Sequence, residues 1–318
     1  MQQAAISEIS DRSAQNGSNK GHNDKSKVSL IIPTLDEAEN LKFVLPAIPK
    51  IIDELIIVDG GSTDGTLDVV NELRPSAKII VDTVPGKGHA LRRGFEAAAG
   101  DILVMMDADG SMDPADIGTF IAALEAGADV AKGSRFLQGG GSADMTIVRR
   151  LGNRALTRAV RLAFGGRYSD LCYGYMAFWR HVLPMFDSHV RGFEVETFLN
   201  VRALAAGLRV VEVASFESAR LSGESHLRTF RDGSRALLTI GRERRWLSKA
   251  RAGLGIPRPG EAHLIPVDGA NLIPVDGANP IPVDGANEDV LSVQDPGKGS
   301  APVADIFSDP AVPFANEA

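Results

Sequence analysis

The chain has 318 residues, 44% hydrophobic and 24% charged, a balance that supports one large core or two ordinary ones. Its one cysteine, Cys172, excludes an internal disulfide framework and fits a reducing compartment. The net charge of −7 divides into −9 over residues 1–144, +10 over 145–255 and −8 over 256–318. A basic middle within an acidic chain points to an anionic partner, and its few aromatics argue against nucleic acid.

Residues 1–26 are polar and lack the apolar stretch of a signal peptide, so they read as a disordered lead-in. From residue 28 the pattern alternates. VSLIIPT reads as a strand, DEAENLKFVLPAI as a helix, ELIIVD as a second strand entering the turn GGSTDGT, and LDVVNEL as a helix. AKIIVD is a third strand, GKGHALRRGFEAAAG a loop and helix, DILVMMDADG a fourth strand, DIGTFIAALEAG a helix and DVAKGSR a fifth strand with its loop. Wholly apolar strands alternating with helices predict an α/β fold with a mostly parallel central sheet covered by helices on both faces.

Residues 145–166 and 234–251 read as basic amphipathic helices. In the first, Ile147, Leu151, Leu156, Val160 and Phe164 form an apolar stripe, and Arg149, Arg150, Arg154, Arg158 and Arg161 the basic remainder. The second carries Trp246 and Leu247 among its arginines. Such helices suit either an ordinary packed surface or an anionic membrane surface. No run of 18 apolar residues occurs, so no membrane span is expected. The tail holds three eight-residue repeats, LIPVDGAN, LIPVDGAN and PIPVDGAN, over residues 264–287. They are too short and too few to bury a core. The domain plan is therefore a lead-in (1–26), one folded domain (27–250) and a disordered acidic tail (251–318).

The polar clusters PTLDE, DGGSTDG, DADGS and KGSR all fall at carboxyl ends of strands, where open α/β sheets bind ligands. Each alone is also a good turn sequence. Glu37 and Asp59 can accept hydrogen bonds from a base or a ribose. Asp107 and Asp109 form a D-x-D pair, and residues i and i+2 of an extended segment point to the same side. Two hard carboxylates on one side suit Mg²⁺ or Mn²⁺, with substrate phosphates completing the shell. Asp113 reads as the cap of a helix opened by Pro114.

PTLDEAEN, VDGGSTDGT, GKGHALRRGF, GDILVMMDADGSMDP and KGSR occur in order. Together they resemble the family 2 glycosyltransferases of the GT-A fold, in the dolichol-phosphate mannosyltransferase and polyprenyl-phosphate glycosyltransferase branch, over about residues 27 to 240. The resemblance implies donor contacts at Pro33, Leu35, Glu37, Ile57 and Asp59. It implies that Asp107, Ala108 and Asp109 serve the diphosphate and a divalent metal held by Asp107 and Asp109. Ser111 stands where the family usually has a Gln ligand. Arg135 is expected near the donor diphosphate and acceptor phosphate, with Arg220 and His226 as later phosphate contacts. Family members usually have Lys at the position of His226, so its charge here would depend on pH.

The implied activity is transfer of a hexose, with inversion, from a nucleotide sugar such as GDP-mannose or UDP-glucose to a polyprenyl or dolichyl phosphate. The protein would work in the cytoplasm, peripherally on the membrane face. A phosphate oxyanion needs no strong general base, whereas a hydroxyl acceptor would. Asp109, Arg135 and Asp170 are the expected catalytic residues. Glu194 and Glu196 read either as a base or as acidic residues at a helix start, and Lys87 and His89 as lining of the donor cleft. Two other readings stay open: a same-fold transferase with a soluble or polysaccharide acceptor, and a non-catalytic nucleotide-binding scaffold.

Overall fold

The computed structural model describes residues 25–186, 190–223, 229–254 and 264–267. The strands are β1 (Val28–Thr34), β2 (Glu54–Asp59), β3 (Lys78–Val81), β4 (Ile102–Met105), β5 (Val130–Ser134), β6 (Gly141–Ser142), β7 (Met176–Trp179), β8 (Val210–Ala214), β9 (Phe216–Glu217) and β10 (Leu264–Val267). The helices are α1 (Ala38–Ala47), α2 (Thr66–Leu73), α3 (Lys87–Ala97), α4 (Ile117–Glu125), α5 (Ile147–Phe164), α6 (Val195–Ala205) and α7 (Thr229–Leu254), with 3₁₀ turns at Pro114–Asp116 and Arg180–Phe186.

Eight strands form one sheet in the order β10-β8-β5-β7-β4-β1-β2-β3. Every pairing is parallel except those of β7, which runs antiparallel between β4 and β5. β6 and β9 pair separately. The five strands expected from the alternating pattern all form. β7 and β8 come from stretches in which no strand was expected, because the arginine-rich α5 interrupts the alternation.

The period of two in the strands divides the core into two layers. Leu30, Ile32, Ile102 and Val104 face Leu41 and Leu45 of α1 and Phe120 of α4. Ile31, Leu103 and Met105 face Phe95 of α3, Phe164 of α5 and Phe198 of α6. On this second face Phe178 makes edge contacts with Phe95 and Phe186, centroids 5.2 and 5.0 Å apart. Thus α1, α2 and α4 cover one side of the sheet, and α3, α5, α6 and α7 the other.

Three sequence expectations change. Ile147 and Leu151 do not join the inward stripe of α5, which is Asn153, Thr157, Val160 and Phe164. They are 78% and 58% exposed. The folded domain also exceeds residue 250, since α7 continues to Leu254. Leu264–Val267, from the first repeat, pairs in parallel with β8 and supplies an edge strand. The rest of the tail and residues 1–24 lie outside the described residues.

Candidate active site

Because β1, β2, β4 and β5 run the same way, PTLDE, DGGSTDG, DADGS and KGSR share one edge of the sheet. The antiparallel β7 adds a second source. Met176, its first residue, pairs with Met105, the last of β4. The preceding loop, Tyr168–Tyr175, is thereby delivered beside the D-x-D pair.

The two outer turns are braced against each other. Asp36, at φ 54°, accepts from Thr63 N at 2.8 Å, and its own N–H donates to Ser62 Oγ at 2.8 Å. Asp64 accepts from Ala38 N at 2.9 Å and so caps α1 from outside that helix. Asp59 is fully buried and accepts from Gly61 N and Ser62 N, both at 2.9 Å, from Ser62 Oγ at 2.5 Å and from Thr34 Oγ1 at 3.2 Å. In this structure it organises its own turn and shows no face to a ligand. Ile57 is likewise enclosed, packed in the α1–α2 layer, because β2 is an interior strand. Ala108 is also buried. Leu35 is exposed and Pro33 half-buried, so these two remain open to a ligand.

At the end of β4, Asp107 and Asp109 stay partly open, their side chains 26% and 17% exposed. Gly110 turns the chain at φ 75°, and Ser111 N donates to Asp109 Oδ1 at 3.0 Å. Segment 218–222 lies across this turn. Ser218 N donates to Ser111 O at 2.8 Å, Leu221 N to Asp109 O at 3.2 Å, and Asn40 Nδ2 to Ser222 O at 3.2 Å. Ser111 is buried. Asp113 caps the Pro114 turn as expected, accepting from Ala115 N at 2.9 Å.

Each D-x-D carboxylate meets a cation that is shared with a second carboxylate. Lys87 Nζ lies 2.6 Å from Asp107 Oδ1 and 2.7 Å from Glu196 Oε1. Arg220 places NH2 3.2 Å from Asp109 Oδ2 and NH1 3.1 Å from Glu37 Oε1. Burial by itself would favour the neutral amine of Lys87, but Asp107 and Glu196 outweigh it and raise its pKa above the lysine range. Burial raises the pKa of Glu196, an effect that Lys87 partly offsets. Burial also raises that of Glu37, against hydrogen bonds from Asn40 and Arg220. The close approach of Gly174 leaves room for this arrangement: a β-carbon there would stand 2.5 Å from Glu196 Oε1 and 2.9 Å from Lys87 Nζ.

Four carboxylates and two cations leave a formal charge of −2 in this cluster. That surplus fits one divalent cation whose other ligands come from a substrate diphosphate. Among the described residues no group of three or more His, Cys, Asp or Glu side chains could hold a metal unaided.

Arg135 and Asp170 form a separate, enclosed unit. Arg135 Nε lies 2.7 Å from Asp170 Oδ2 and NH2 3.0 Å from Oδ1, while NH1 reaches Glu217 Oε1 at 3.0 Å. Its guanidinium stacks over Tyr173, 4.8 Å from the ring centre. Asp170 also accepts from Asn153 Nδ2 at 3.0 Å and Cys172 N at 3.2 Å. Burial opposes its charge, but Lys132 and Arg135 lower its pKa below the usual value. Asp170 is fully buried and its carboxylate is engaged by Arg135, Asn153 and the Cys172 N–H, an arrangement suited to holding Arg135 in place. Arg135 would have to leave two carboxylates to meet a phosphate.

His89 contacts Asp82, Nε2 to Oδ2 at 3.1 Å, and Arg92, and is not part of the Asp107 cluster. Glu194 and Glu196 do open α6, but Glu196 turns to Lys87. His226 lies outside the described residues. Sequence reading missed Asn153, Tyr173 and Glu217 as partners of the Arg135 unit. Glu217 is 82 positions from Arg135, and no spacing rule links the two.

The glycosyl transferase family 2 model matches residues 29–186. A polyprenol monophosphomannose synthase from Mycolicibacterium smegmatis is 31% identical over 218 residues, covering 62% of this chain and 80% of that one. A dolichol-phosphate mannosyltransferase from Pyrococcus furiosus is 32% identical over 211 residues, covering 64% of this chain and 59% of the relative. Among solved structures, glucosyl-3-phosphoglycerate synthase from Mycobacterium tuberculosis, crystallised with Mn²⁺, UDP and glucosyl-3-phosphoglycerate, superposes with a TM-score of 0.55 at 23% identity, over 79% of this chain and 86% of that one. The order of the sheet, the carboxylate turns at its edge and these similarities agree: the chain belongs to the family 2 glycosyltransferases and has their GT-A fold.

Proposed function

We propose that this glycosyltransferase moves a hexose from a nucleotide sugar to a polyprenyl phosphate with inversion. The observation that carries the reading is the pairing of Asp107 with Lys87 and of Asp109 with Arg220 at the end of β4. Such a cluster can trade its internal ion pairs for a diphosphate and a metal without stranding a buried charge. The names of the Mycolicibacterium and Pyrococcus relatives support a lipid phosphate as acceptor. The Mn²⁺ and UDP in the Mycobacterium structure support a divalent metal and a nucleotide-sugar donor.

Asp107 and Asp109 would hold Mg²⁺ or Mn²⁺, which supplies charge neutralisation on the departing diphosphate. Leu35 and Pro33 offer an apolar ledge to the base, and Glu37, freed from Arg220, accepts hydrogen bonds from the nucleoside. Arg220 turns from its two carboxylates to the phosphates, and Lys87 holds Asp107 in position. The acceptor phosphate oxygen attacks the anomeric carbon as the bond to the diphosphate oxygen breaks, so one displacement inverts that centre. The acceptor arrives as an oxyanion, so no carboxylate need take a proton. The Arg135–Asp170–Glu217 unit sets the floor below the acceptor side.

The product of the Mycobacterium structure, glucosyl-3-phosphoglycerate, favours a second reading, in which the acceptor is a soluble phosphorylated metabolite. Incubation with labelled GDP-mannose or UDP-glucose, Mn²⁺ and a short polyprenyl phosphate separates them. The expected outcome is label in the organic phase; label confined to the aqueous product overturns the lipid acceptor. No described helix is long and apolar enough to cross a membrane.

A further inference from the structure

Residues 264–287 repeat one eight-residue unit, as LIPVDGAN, LIPVDGAN and PIPVDGAN. The LIPV segment of the first unit forms β10. It pairs in parallel with β8, from Leu264 opposite Val210 to Val267 opposite Val213. On its other side β8 is paired along its whole length with β5, from Val130 opposite Val210 to Ser134 opposite Ala214. Without β10, the apolar β8 would end the sheet and present a row of unpaired N–H and C=O groups.

Three properties of the repeat suit this edge. A strand is held by its backbone, so the second LIPV, residues 272–275, offers β8 the same groups in the same order as the first. The repeat length is even. Replacing one unit by the next shifts the strand by eight residues and keeps every side chain on its own face of the sheet, whereas an odd period would invert them all. The third property is Pro266, inside the strand. Proline within a sheet is confined to edges, and β10 is the terminal strand of its sheet. The unit therefore closes the sheet and makes a poor template for a further strand.

The chain is long enough for the exchange. Residues 255–263, nine in number, join the end of α7 at Leu254 to Leu264. Residues 255–271, seventeen in number, would join it to Leu272. Loop-closure entropy grows only with the logarithm of length, so the longer connection disfavours the second unit by roughly threefold. We propose that the outer edge of β8 is a binding site for the LIPV strand, shared within one chain by the first two repeats. The second unit takes the edge whenever the first leaves it. The third unit opens with Pro280 in place of leucine and has a longer connection still, which makes it the weakest occupant. From β8 the chain passes through Ser215 to Glu217, a partner of Arg135, and on to Arg220. Successive copies at the edge keep this exit fixed while any one of them opens. The inference does not depend on which donor or acceptor the enzyme uses.

The test is amide hydrogen exchange of the full chain, followed by mass spectrometry. Ile265→Pro/Val267→Pro gives the first unit three consecutive prolines, none of which can donate to a ladder. Exchange in β8 should rise only about fourfold, the cost of losing the favoured occupant. The amides of Leu272, Ile273 and Val275 should at the same time gain protection. Adding Ile273→Pro/Val275→Pro and Ile281→Pro/Val283→Pro breaks all three units. Exchange in β8 should then rise by about a further order of magnitude, because its edge is open. β1 and β4 are separated from β8 by β5 and β7, so their exchange should not change and serves as the folding control. The proposal fails if the first variant exchanges as fast in β8 as the one with all units broken, or if residues 272–275 gain no protection. It also fails if β8 exchanges alike in all three chains, since the repeats would then not hold the edge. Loss of β8 protection on dilution of the unaltered chain would assign the edge to a repeat from a second copy and overturn the exchange within one chain.

Discussion

Lys87 Nζ lies 2.6 Å from Asp107 Oδ1, on a side chain that also reaches Glu196 at 2.7 Å. One cation thus ties the first residue of α3 to the end of β4 and the start of α6. Lys87→Met keeps the length of the side chain and removes its charge, stranding two carboxylates. Breaking a buried pair in this way costs about 3–5 kcal/mol. The second substitution, Glu196→Gln, should restore part of the loss by removing one stranded charge. Denaturant unfolding of the two single variants and the double variant measures the coupling; additive losses would show that Lys87 and Glu196 do not act as a pair.

Asp109 carries the other half of the cluster, bonded to Arg220 and, through its carbonyl, to Leu221 N. Asp109→Asn should leave the fold nearly intact and lower the transfer rate by at least about 100-fold, the scale seen on losing a preorganised charge contact. The Mn²⁺-dependent rise in melting temperature with donor present should disappear with it. A variant that keeps metal-dependent transfer would remove Asp109 from the catalytic set.

Gly110 holds φ at 75°, and a β-carbon there would stand 2.5 Å from Leu221 Cδ1. Gly110→Ala is therefore strained twice, in its backbone and against the segment that carries Arg220. A stability loss of about 1–3 kcal/mol is expected from the backbone, with a larger proportional loss of transfer. Gly110→Ala/Leu221→Ala should recover transfer in part, which a purely backbone effect would not allow.

The acid limbs of activity and stability should separate. Burial raises the Glu37 pKa above its usual 4.5. A raised carboxyl pKa contributes to stability below 4.5 and loses that contribution as pH rises through the folded value, so protonating Glu37 costs the fold nothing while it removes a partner of Arg220. Asp170 has the opposite sign. Its pKa is lowered from 3.8, so its contribution is present above 3.8 and is lost as pH falls through the folded value. Donor binding should therefore weaken while pH is still above 4.5, with unfolding from the Arg135–Asp170 unit setting in only below 3.8. Binding followed by thermal shift and folding followed by circular dichroism check this, and coincident midpoints would refute it.

Asp170→Asn tests the positioning role directly. It should destabilise the chain by about 3–5 kcal/mol, since it leaves Arg135 with one buried partner. Donor affinity should change little, because Glu37, Asp107 and Asp109 belong to a different set of contacts. A lost transfer rate with intact stability would instead assign Asp170 to direct catalysis.

The sequence by itself determined the alternation of β1 to β5 with helices, and through it the shared edge at which Glu37, Asp107 and Asp109 stand. Those features are local: apolar runs, turn residues and the two-residue spacing of the D-x-D pair are all written within a few positions. The tertiary structure alone decided which polar residues remain open. Asp59 and Ile57 occupy motif positions yet are enclosed, the first by donors of its own turn and the second by helices from elsewhere in the chain. The tertiary structure also decided the partners. β7, entering antiparallel between β4 and β5, delivers Asp170 and Tyr173 to the site, and the segment after β9 brings Arg220 across 183 positions to Glu37. Such contacts depend on where the chain returns, which no local periodicity encodes. The same limit hid the exposure of Ile147 and Leu151: both fit a helical apolar pattern, but only packing shows that the core had already taken the other face of α5.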